Sequence, residues 1–208
     1  MGEKNNKVIG IIDYGIGNIN AFKNIYFENG IEIKVIKNIE NLNLQINKII
    51  LPGVGSFDYA IQSLKNFGLL EPLKVFIKNQ NNLVLGVCVG MQILCKASEE
   101  GSESGIGVFD QTIKKFRGNT TPHMGWNTID ISKKDDLLNE IPNESEFYFL
   151  HSYYFDNKNS NYELCKSNYN QSFSSIVKKN NIYGIQFHPE KSHKLGEKVL
   201  LNFHNIKC

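Results

Sequence analysis

The apolar residues of this chain follow two different patterns, one in each half. Through about residue 97, short apolar runs alternate with segments of helical periodicity. The apolar runs predict strands at residues 7–12, 31–36, 48–51 and 83–87, and the segments between and after them predict helices at 19–28, 57–64, 72–79 and 91–97. Continuous apolar strands separated by helices indicate an α/β fold with a central, mostly parallel sheet covered on both faces.

The second half has shorter strand-like pieces separated by Asn-rich loops. These pieces predict strands at 147–150, 174–177 and 183–187, and a helix at about 195–203 closes the chain. With 208 residues and no internal repeat, we expect residues 1–208 to form a single domain.

Composition narrows the classes of function. The net charge is only +2, and no dense Lys/Arg stripe predicts a nucleic-acid surface. No apolar run approaches the roughly 20 residues of a membrane span, and no apolar core of a signal peptide follows Met1. Four cysteines without CxxC spacing indicate free thiols in the cytoplasm, namely Cys88, Cys95, Cys165 and Cys208.

A candidate nucleophile lies where the fourth predicted strand meets a helix, in Gly86-Val87-Cys88-Val89-Gly90. A side chain presented on such a tight turn needs small residues two positions away on each side, because strand and helix pass close there. The positive end of the following helix favours the reactive thiolate. Taken alone, the pattern is equally compatible with a buried, inert cysteine.

A second motif, Gln186-Phe187-His188-Pro189-Glu190, ends a late predicted strand. Residues i and i+2 of an extended segment face the same side, so His188 and Glu190 are predicted to form a base and its orienting carboxylate. A third motif, Gly53-Val54-Gly55, lets backbone N–H groups approach an oxyanion, although alone it is more typical of a plain turn. Gly15-Ile16-Gly17 lacks the third glycine of a dinucleotide site, so no NAD is inferred.

Taken together, the motifs resemble those of class I glutamine amidotransferases, and in particular the glutaminase subunits of imidazole glycerol phosphate synthases. The resemblance spans nearly the whole chain, and Val89 is a mild departure where many relatives have Leu. The segments that carry it are 13–18, 51–57, 86–92, 122–127, 151–154 and 186–192.

The resemblance implies a Cys88-His188-Glu190 triad in which Cys88 attacks the side-chain amide of glutamine, His188 shuttles the proton and Glu190 orients the imidazole. It implies further residues for the oxyanion and the glutamine head group, namely Gly53, Val54, Gly55, Val89, Gln92, His151, Ser152 and Tyr153. It also implies that the Gly53–Gly55 strand rearranges before it holds the oxyanion, and that neither a metal nor a cofactor is needed.

The resemblance further implies a partner. Trp126, Asn127 and Lys191 match positions that face a (β/α)8 cyclase subunit, which would form a heterodimer with this chain and use its ammonia to make imidazole glycerol phosphate and AICAR in histidine biosynthesis. Three alternatives remain open: a paralogue that supplies ammonia to another synthase, such as one amidating a surface-glycan sugar; a cysteine peptidase or hydrolase on the same scaffold; and a non-catalytic binding subunit.

Overall fold

A computed structural model describes residues 8–38, 41, 46–118, 121–157 and 161–207. Within these ranges the helices are α1 (Ile19–Glu28), α2 (Phe57–Asn66), α3 (Leu70–Lys78), α4 (Val89–Gln92) and α5 (His193–Asn205). The strands are β1 (Ile9–Ile12), β2 (Ile33–Ile36), β3 (Lys48–Leu51), β4 (Leu83–Val87), β5 (Cys95–Ser98), β6 (Phe109–Lys115), β7 (His123–Thr128), β8 (Asp130–Ile131), β9 (Glu146–His151), β10 (Tyr153–Tyr154), β11 (Glu163–Tyr169), β12 (Gln171–Lys179) and β13 (Ile182–Ile185). None of these helices is both long and apolar enough to cross a membrane.

A central sheet of eight strands has the order β2-β1-β3-β4-β13-β12-β11-β8. The strands from β2 to β13 run parallel, and β12, β11 and β8 continue the sheet antiparallel. The predicted α/β fold is therefore confirmed, with an antiparallel extension that makes the sheet mixed. Two small sheets, β10-β6-β5 and β7-β9, accompany it.

The connections of the parallel strands place helices on both faces. From β1 the chain moves outward to β2 through α1, whereas from β3 it moves the opposite way to β4 through α2 and α3. Since such crossovers are right-handed, α1 lies on one face and α2 and α3 on the other. Helix α5 joins α1, because the Tyr26 hydroxyl donates to the Leu200 carbonyl oxygen at 2.9 Å. The order reverses between β1 and β3, so their carboxyl ends border a crevice suited to a site.

The helix predicted at residues 91–97 is wrong. Helix α4 ends at Gln92, and Cys95–Ser98 forms strand β5 beside β6. The carbonyl oxygens that would continue the helix accept hydrogen bonds from a later segment: Ile106 N donates to Ile93 O at 2.8 Å and Phe109 N to Leu94 O at 3.1 Å. Tertiary pairing therefore overrides the local helical pattern.

The later predicted strands are found, with different ends. Residues 147–150 and 174–177 lie inside β9 and β12, but β13 ends at Ile185, two residues before its predicted end. Strands β6, β7 and β11 were not predicted, since half-exposed polar positions interrupt their apolar alternation. Lys7, the predicted start of the first strand, and Cys208 lie outside the described residues.

A buried amide fastens α5 to the loop before β9. The side-chain nitrogen of Asn202 donates to Leu137 O at 3.0 Å and to Asn139 O at 2.7 Å. We expect Asn202→Ala to lower the free energy of unfolding by about 1–3 kcal/mol, because two carbonyl groups lose their buried donor. Urea denaturation measures this change. Asn24→Ala, at an exposed position inside α1, is the matched control, since it shares the change in helix propensity. An equal loss in both variants would contradict the role of the buried amide.

Candidate active site

Cys88 lies at the carboxyl end of β4 in a strained backbone conformation. Its φ is 54° and its ψ is −114°, and the residue is only 3% exposed. A residue with a side chain rarely adopts a positive φ, and such strain is typical of functional turns. Hydrogen bonds on both sides hold the turn: Cys88 N donates to Ile185 O at 2.7 Å, and Gln92 N donates to Cys88 O at 3.1 Å.

The glycines around Cys88 are required by close backbone approach. A Cβ atom on Gly90 would lie 1.9 Å from the Leu51 carbonyl oxygen, and one on Gly86 would lie 2.7 Å from the Gly90 carbonyl oxygen. On the neighbouring loop, a Cβ atom on Gly53 would lie 2.4 Å from Gly90 N. The small residues predicted at the elbow are thus explained, and the first glycine of the 53–55 motif packs directly against it.

His188 and Glu190 form a buried pair beside Cys88. His188 Nδ1 lies 2.9 Å from Glu190 Oε1, and each side chain is 2% exposed. The pair does not arise from an extended strand as predicted, since β13 has ended and Pro189–Lys191 form a 3₁₀ turn. Proline at the first position favours this turn, which brings the carboxylate back to the imidazole.

The protonation of His188 follows from its two neighbours. Burial lowers the pKa of a histidine, but here the hydrogen bonds and charges of Cys88 and Glu190 prevail and raise the pKa of His188 to about 10. At neutral pH the imidazole is therefore held in its protonated form between the sulfur and the carboxylate.

The backbone of His188 is fixed independently of its side chain. His188 N donates to Tyr148 O at 2.8 Å, which joins the segment to β9. The Ser192 hydroxyl donates to His188 O at 2.6 Å and accepts from Tyr148 N at 3.0 Å. This double attachment holds the imidazole in place and limits its freedom to turn away from Cys88.

A pocket of about 290 Å³ opens in front of the sulfur. All predicted oxyanion and glutamine residues except Gly53 line it, so the structure brings these positions together. The lining comprises Val54, Gly55, Cys88, Val89, Gln92, Glu100, Pro122, Leu150, His151, Ser152, Tyr153 and His188.

Two backbone segments can supply oxyanion donors. Cys88 N is already bound to Ile185 O, whereas Val89 is the first residue of α4 and its N–H has no partner within the helix. The helix is a single turn, so this local N–H matters more than the helix dipole expected from the longer predicted helix. On the other side, the Tyr14 hydroxyl donates to Pro52 O at 2.6 Å and anchors the start of the 53–55 segment.

Gln186 is a buried neighbour of Cys88 that sequence reasoning did not select. Its Nε2 lies 3.8 Å from Cys88 Sγ, and its Oε1 accepts from Gln92 Nε2 at 3.1 Å. The Gln186 side-chain amide therefore contacts the Cys88 sulfur and Gln92 at the same time. Gln186 stands in the same motif as His188 and Glu190, but the strand has ended before it, so strand alternation does not explain its contact with Cys88.

Glu100 is a second residue that was missed. It lines the pocket, and its Oε2 accepts from Phe57 N at 2.8 Å. Partial burial raises the pKa of the Glu100 carboxyl, an effect that the bond from Phe57 opposes. Nothing in the adjacent pair Glu99-Glu100 indicates which carboxylate faces the pocket, because that depends on the turn after β5.

Comparison with known proteins places this site in a family. The profile described as "Glutamine amidotransferase class-I" matches residues 10–208. The chain belongs to the class I glutamine amidotransferase family. Two curated relatives are named imidazole glycerol phosphate synthase subunit HisH, from Bdellovibrio bacteriovorus, and HisH 2, from Methanococcus maripaludis. The first is 42% identical over 96% of this chain and 100% of its own length, and the second is 42% identical over 94% and 98%.

Solved structures confirm the fold of this amidotransferase. A crystal structure of a glutamine amidotransferase has a TM-score of 0.74 at 16% identity and covers 95% of this chain and 99% of its own. PurLQS from Thermotoga maritima has a TM-score of 0.71 at 15% identity, with 95% and 97% covered. At these identities the likeness concerns the fold alone.

The residues predicted to face a partner lie outside the pocket lining of this amidotransferase. Trp126 is 46% exposed, and its ring stacks on His193 at 4.9 Å. Lys191 Nζ lies 5.7 Å from the centre of the Tyr148 ring. Asn127 is half-buried, with its side-chain nitrogen 3.0 Å from the Asn168 carbonyl oxygen. Trp126, Tyr148, Lys191 and His193 thus form one aromatic and basic cluster, which we call the Trp126 cluster.

The raised pKa of His188 predicts an unusual titration. In 15N NMR spectra its ring should stay protonated through neutral pH and titrate near pH 10. Since the ordinary value is 6.5, its contribution to stability is fully present below that pH and lost as the pH rises through about 10. Glu190→Gln removes a stabilising charge, so the His188 pKa should fall. A ring that is neutral at pH 7 in the unmodified protein would contradict this arrangement.

Proposed function

We propose that this amidotransferase is the glutaminase subunit of an imidazole glycerol phosphate synthase. It hydrolyses L-glutamine to glutamate and ammonia and passes the ammonia to a cyclase subunit. The observation that carries the proposal is the placement of Cys88 beside the buried His188–Glu190 pair at the mouth of a pocket of about 290 Å³. The close relatives named HisH support the choice of pathway.

In the first half of the reaction, Cys88 Sγ attacks the side-chain amide carbon of glutamine. The carbonyl oxygen becomes an oxyanion. In this proposal it is stabilised by the N–H group of Val89 and, after rearrangement, by those of the 53–55 segment, both of which border the pocket. His188 gives its proton to the amide nitrogen, which leaves as ammonia when the C–N bond breaks. The product on the enzyme is a glutamyl thioester.

In the second half, His188 is neutral and takes a proton from a water molecule. The water oxygen bonds to the thioester carbon, the C–S bond breaks, and glutamate leaves. Glu190 keeps the imidazole oriented through its contact with Nδ1 in both halves. His188 is thereby protonated again, and Cys88 is again a thiolate.

Glu100 supplies selectivity for an amino acid. The α-ammonium group of glutamine needs an anionic partner in a partly buried pocket, and Glu100 is a carboxylate outside the triad that lines it. A bound ammonium offsets the burial that raises the Glu100 pKa. The amide end of the substrate then points toward Cys88, with Gln92 and the 151–153 segment beside it.

The partner is proposed to dock at the Trp126 cluster and Asn127. An exposed tryptophan is typical of protein interfaces, and Trp126 is 46% exposed with its ring stacked on His193. Ammonia is mostly ammonium in neutral water, so a docked (β/α)8 cyclase in a heterodimer keeps it dry and nucleophilic. We place the reaction in the cytoplasm, where thiols such as Cys88 stay reduced.

Glutamate release from glutamine tests the proposed function. We expect weak release by the chain alone and strong stimulation by the histidine-pathway cyclase with its nucleotide substrate. Cys88→Ala should abolish glutamine-dependent synthesis and spare synthesis from added ammonia, because only the nucleophile is removed. Cys165→Ala, at another buried free cysteine, is the matched control.

The alternatives predict other results. Labelling of Cys88 by a reactive glutamine analogue without stimulation would favour the paralogue that serves another synthase. Absence of both labelling and stimulation would contradict the glutaminase activity itself. Loss of ammonia-dependent synthesis in Cys88→Ala would mean that the residue is structural.

We expect Glu100→Gln to raise the KM for glutamine by roughly tenfold or more with a small change in kcat, because it removes one charge of an ion pair. The amide oxygen can still accept from Phe57 N. Glutaramate, which lacks the α-amino group, should be hydrolysed equally poorly by both proteins. Glu99→Gln is the control, since Glu99 pairs with Lys114 away from the pocket. An unchanged KM would remove Glu100 from substrate binding.

A further inference from the structure

A chain of hydrogen bonds runs behind the pocket wall and joins Asn127 to Tyr153. Asn127 Nδ2 lies 3.1 Å from His123 Nε2, and His123 Nδ1 lies 2.9 Å from His151 Nε2. His151 Nδ1 lies 2.8 Å from the carbonyl oxygen of Tyr153. Both histidines are buried, and we call this series the histidine relay.

The direction of every bond in the histidine relay is determined by its two ends. A carbonyl oxygen only accepts, so His151 Nδ1 donates and its Nε2 accepts from His123 Nδ1. His123 Nε2 then accepts from Asn127 Nδ2. The orientation of the Asn127 amide is set by its oxygen, which accepts from Thr128 N at 2.8 Å. Both histidines are therefore neutral and carry their proton on Nδ1.

The surroundings of the two rings favour this neutral form. Burial lowers the pKa of His123 to about 4 and, with the nearby His123 and His188, that of His151 to about 3. The His123 ring stacks on Tyr169 at 4.1 Å and on Phe149 at 4.9 Å. Neither environment stabilises a charged imidazole. Each ring therefore keeps Nδ1 as a donor and Nε2 as an acceptor.

The histidine relay ends at Tyr153, whose carbonyl oxygen also belongs to a hydrogen-bond network that leads to Cys88. The Tyr153 carbonyl oxygen also accepts from Gln92 Nε2 at 3.0 Å. Gln92 in turn bonds to Gln186, whose amide nitrogen faces Cys88 Sγ. His151, Ser152 and Tyr153 all line the pocket, so the relay sets the position of one of its walls.

We infer that Asn127 and His123 are positioning residues for glutamine binding. By selecting the Nδ1–H tautomer of His151, they make its ring hold the Tyr153 carbonyl and with it the 151–153 wall of the pocket. The inference rests on the proposed function, because it takes this wall to bind glutamine. It also gives Asn127 a task beyond its place on the proposed partner face.

The test is to reverse the direction of the hydrogen bonds in the histidine relay. The carboxylate of Asn127→Asp cannot donate, so His123 Nε2 must donate to it. In a neutral His123 ring, which burial favours, Nδ1 must then accept. His151 Nε2 must then donate, and its Nδ1 no longer donates to Tyr153 unless the ring becomes charged. A doubly protonated His123 would keep Nδ1 as a donor, and its 15N signals would contradict the reversal. In 15N NMR spectra we expect Nδ1–H tautomers of both histidines in the unmodified protein, and an Nε2–H or doubly protonated His151 in the variant.

The kinetic counterpart is a split between KM and kcat. At saturating cyclase, Asn127→Asp should raise the KM for glutamine by roughly tenfold and change kcat little, because the triad is untouched. His123→Phe, which keeps a ring between Phe149 and Tyr169, should shift KM in the same direction. Asn143→Asp is the matched control, since its oxygen keeps the bond from Ile131 N.

Two results would overturn the relay: an Nε2–H tautomer of His151 in the unmodified protein, or an unchanged KM in both folded variants. The tautomers are read without substrate. An unmodified protein with Nδ1–H histidines but no glutaminase activity would therefore contradict the proposed function and keep the relay, whereas an active enzyme with the other tautomer would contradict the relay alone.

Discussion

The strained backbone of Cys88 is the constraint on which the rest of the site depends. A positive φ at a residue with a side chain costs about 1–3 kcal/mol, and it persists only where surrounding structure determines it. Here the determinants are the parallel strands on either side and two backbone hydrogen bonds at the turn. The same crowding admits only glycine at position 90, where the Leu51 carbonyl oxygen passes. The packing of the sheet and the conformation of Cys88 are therefore specified together.

Three buried histidines in this small region differ in pKa: that of His188 is raised, whereas those of His123 and His151 are lowered. Their neighbours explain the difference. His188 lies between a sulfur and a carboxylate, which favour its charge and raise its pKa to about 10. The ring nitrogens of His123 and His151 contact each other, the Tyr153 carbonyl oxygen and the Asn127 amide, all of which are neutral. Burial therefore prevails and lowers the pKa values of His123 and His151 to about 4 and about 3. Burial alone does not assign a role to a histidine, because the partner of each ring nitrogen decides whether it transfers protons or fixes geometry.

Most of the parallel core could be predicted, because its strands are continuous apolar runs and its helices are periodic. The errors occurred where tertiary contacts decide between local alternatives. Residues 91–97 read as a helix, yet the carbonyl oxygens of Ile93 and Leu94 bind a segment more than ten residues later in the chain. The strand predicted to Phe187 ends at Ile185, because a 3₁₀ turn at Pro189 brings Glu190 back to His188. His188 and Glu190 therefore lie together, although not through the extended strand that was predicted.

The sequence by itself determined the motifs on which the proposed chemistry rests. These are a cysteine between spaced glycines, a His-Pro-Glu segment and a Gly-Val-Gly loop, which depend only on residue type and short spacing. Only the tertiary structure decided which distant side chains complete the pocket. Glu100 and His151 line it, and Gln186 and His123 contact the lining residues Cys88 and His151 from behind. Such contacts join residues 28 to 98 positions apart. Local patterns carry no information on these distances, because packing of the whole chain sets them.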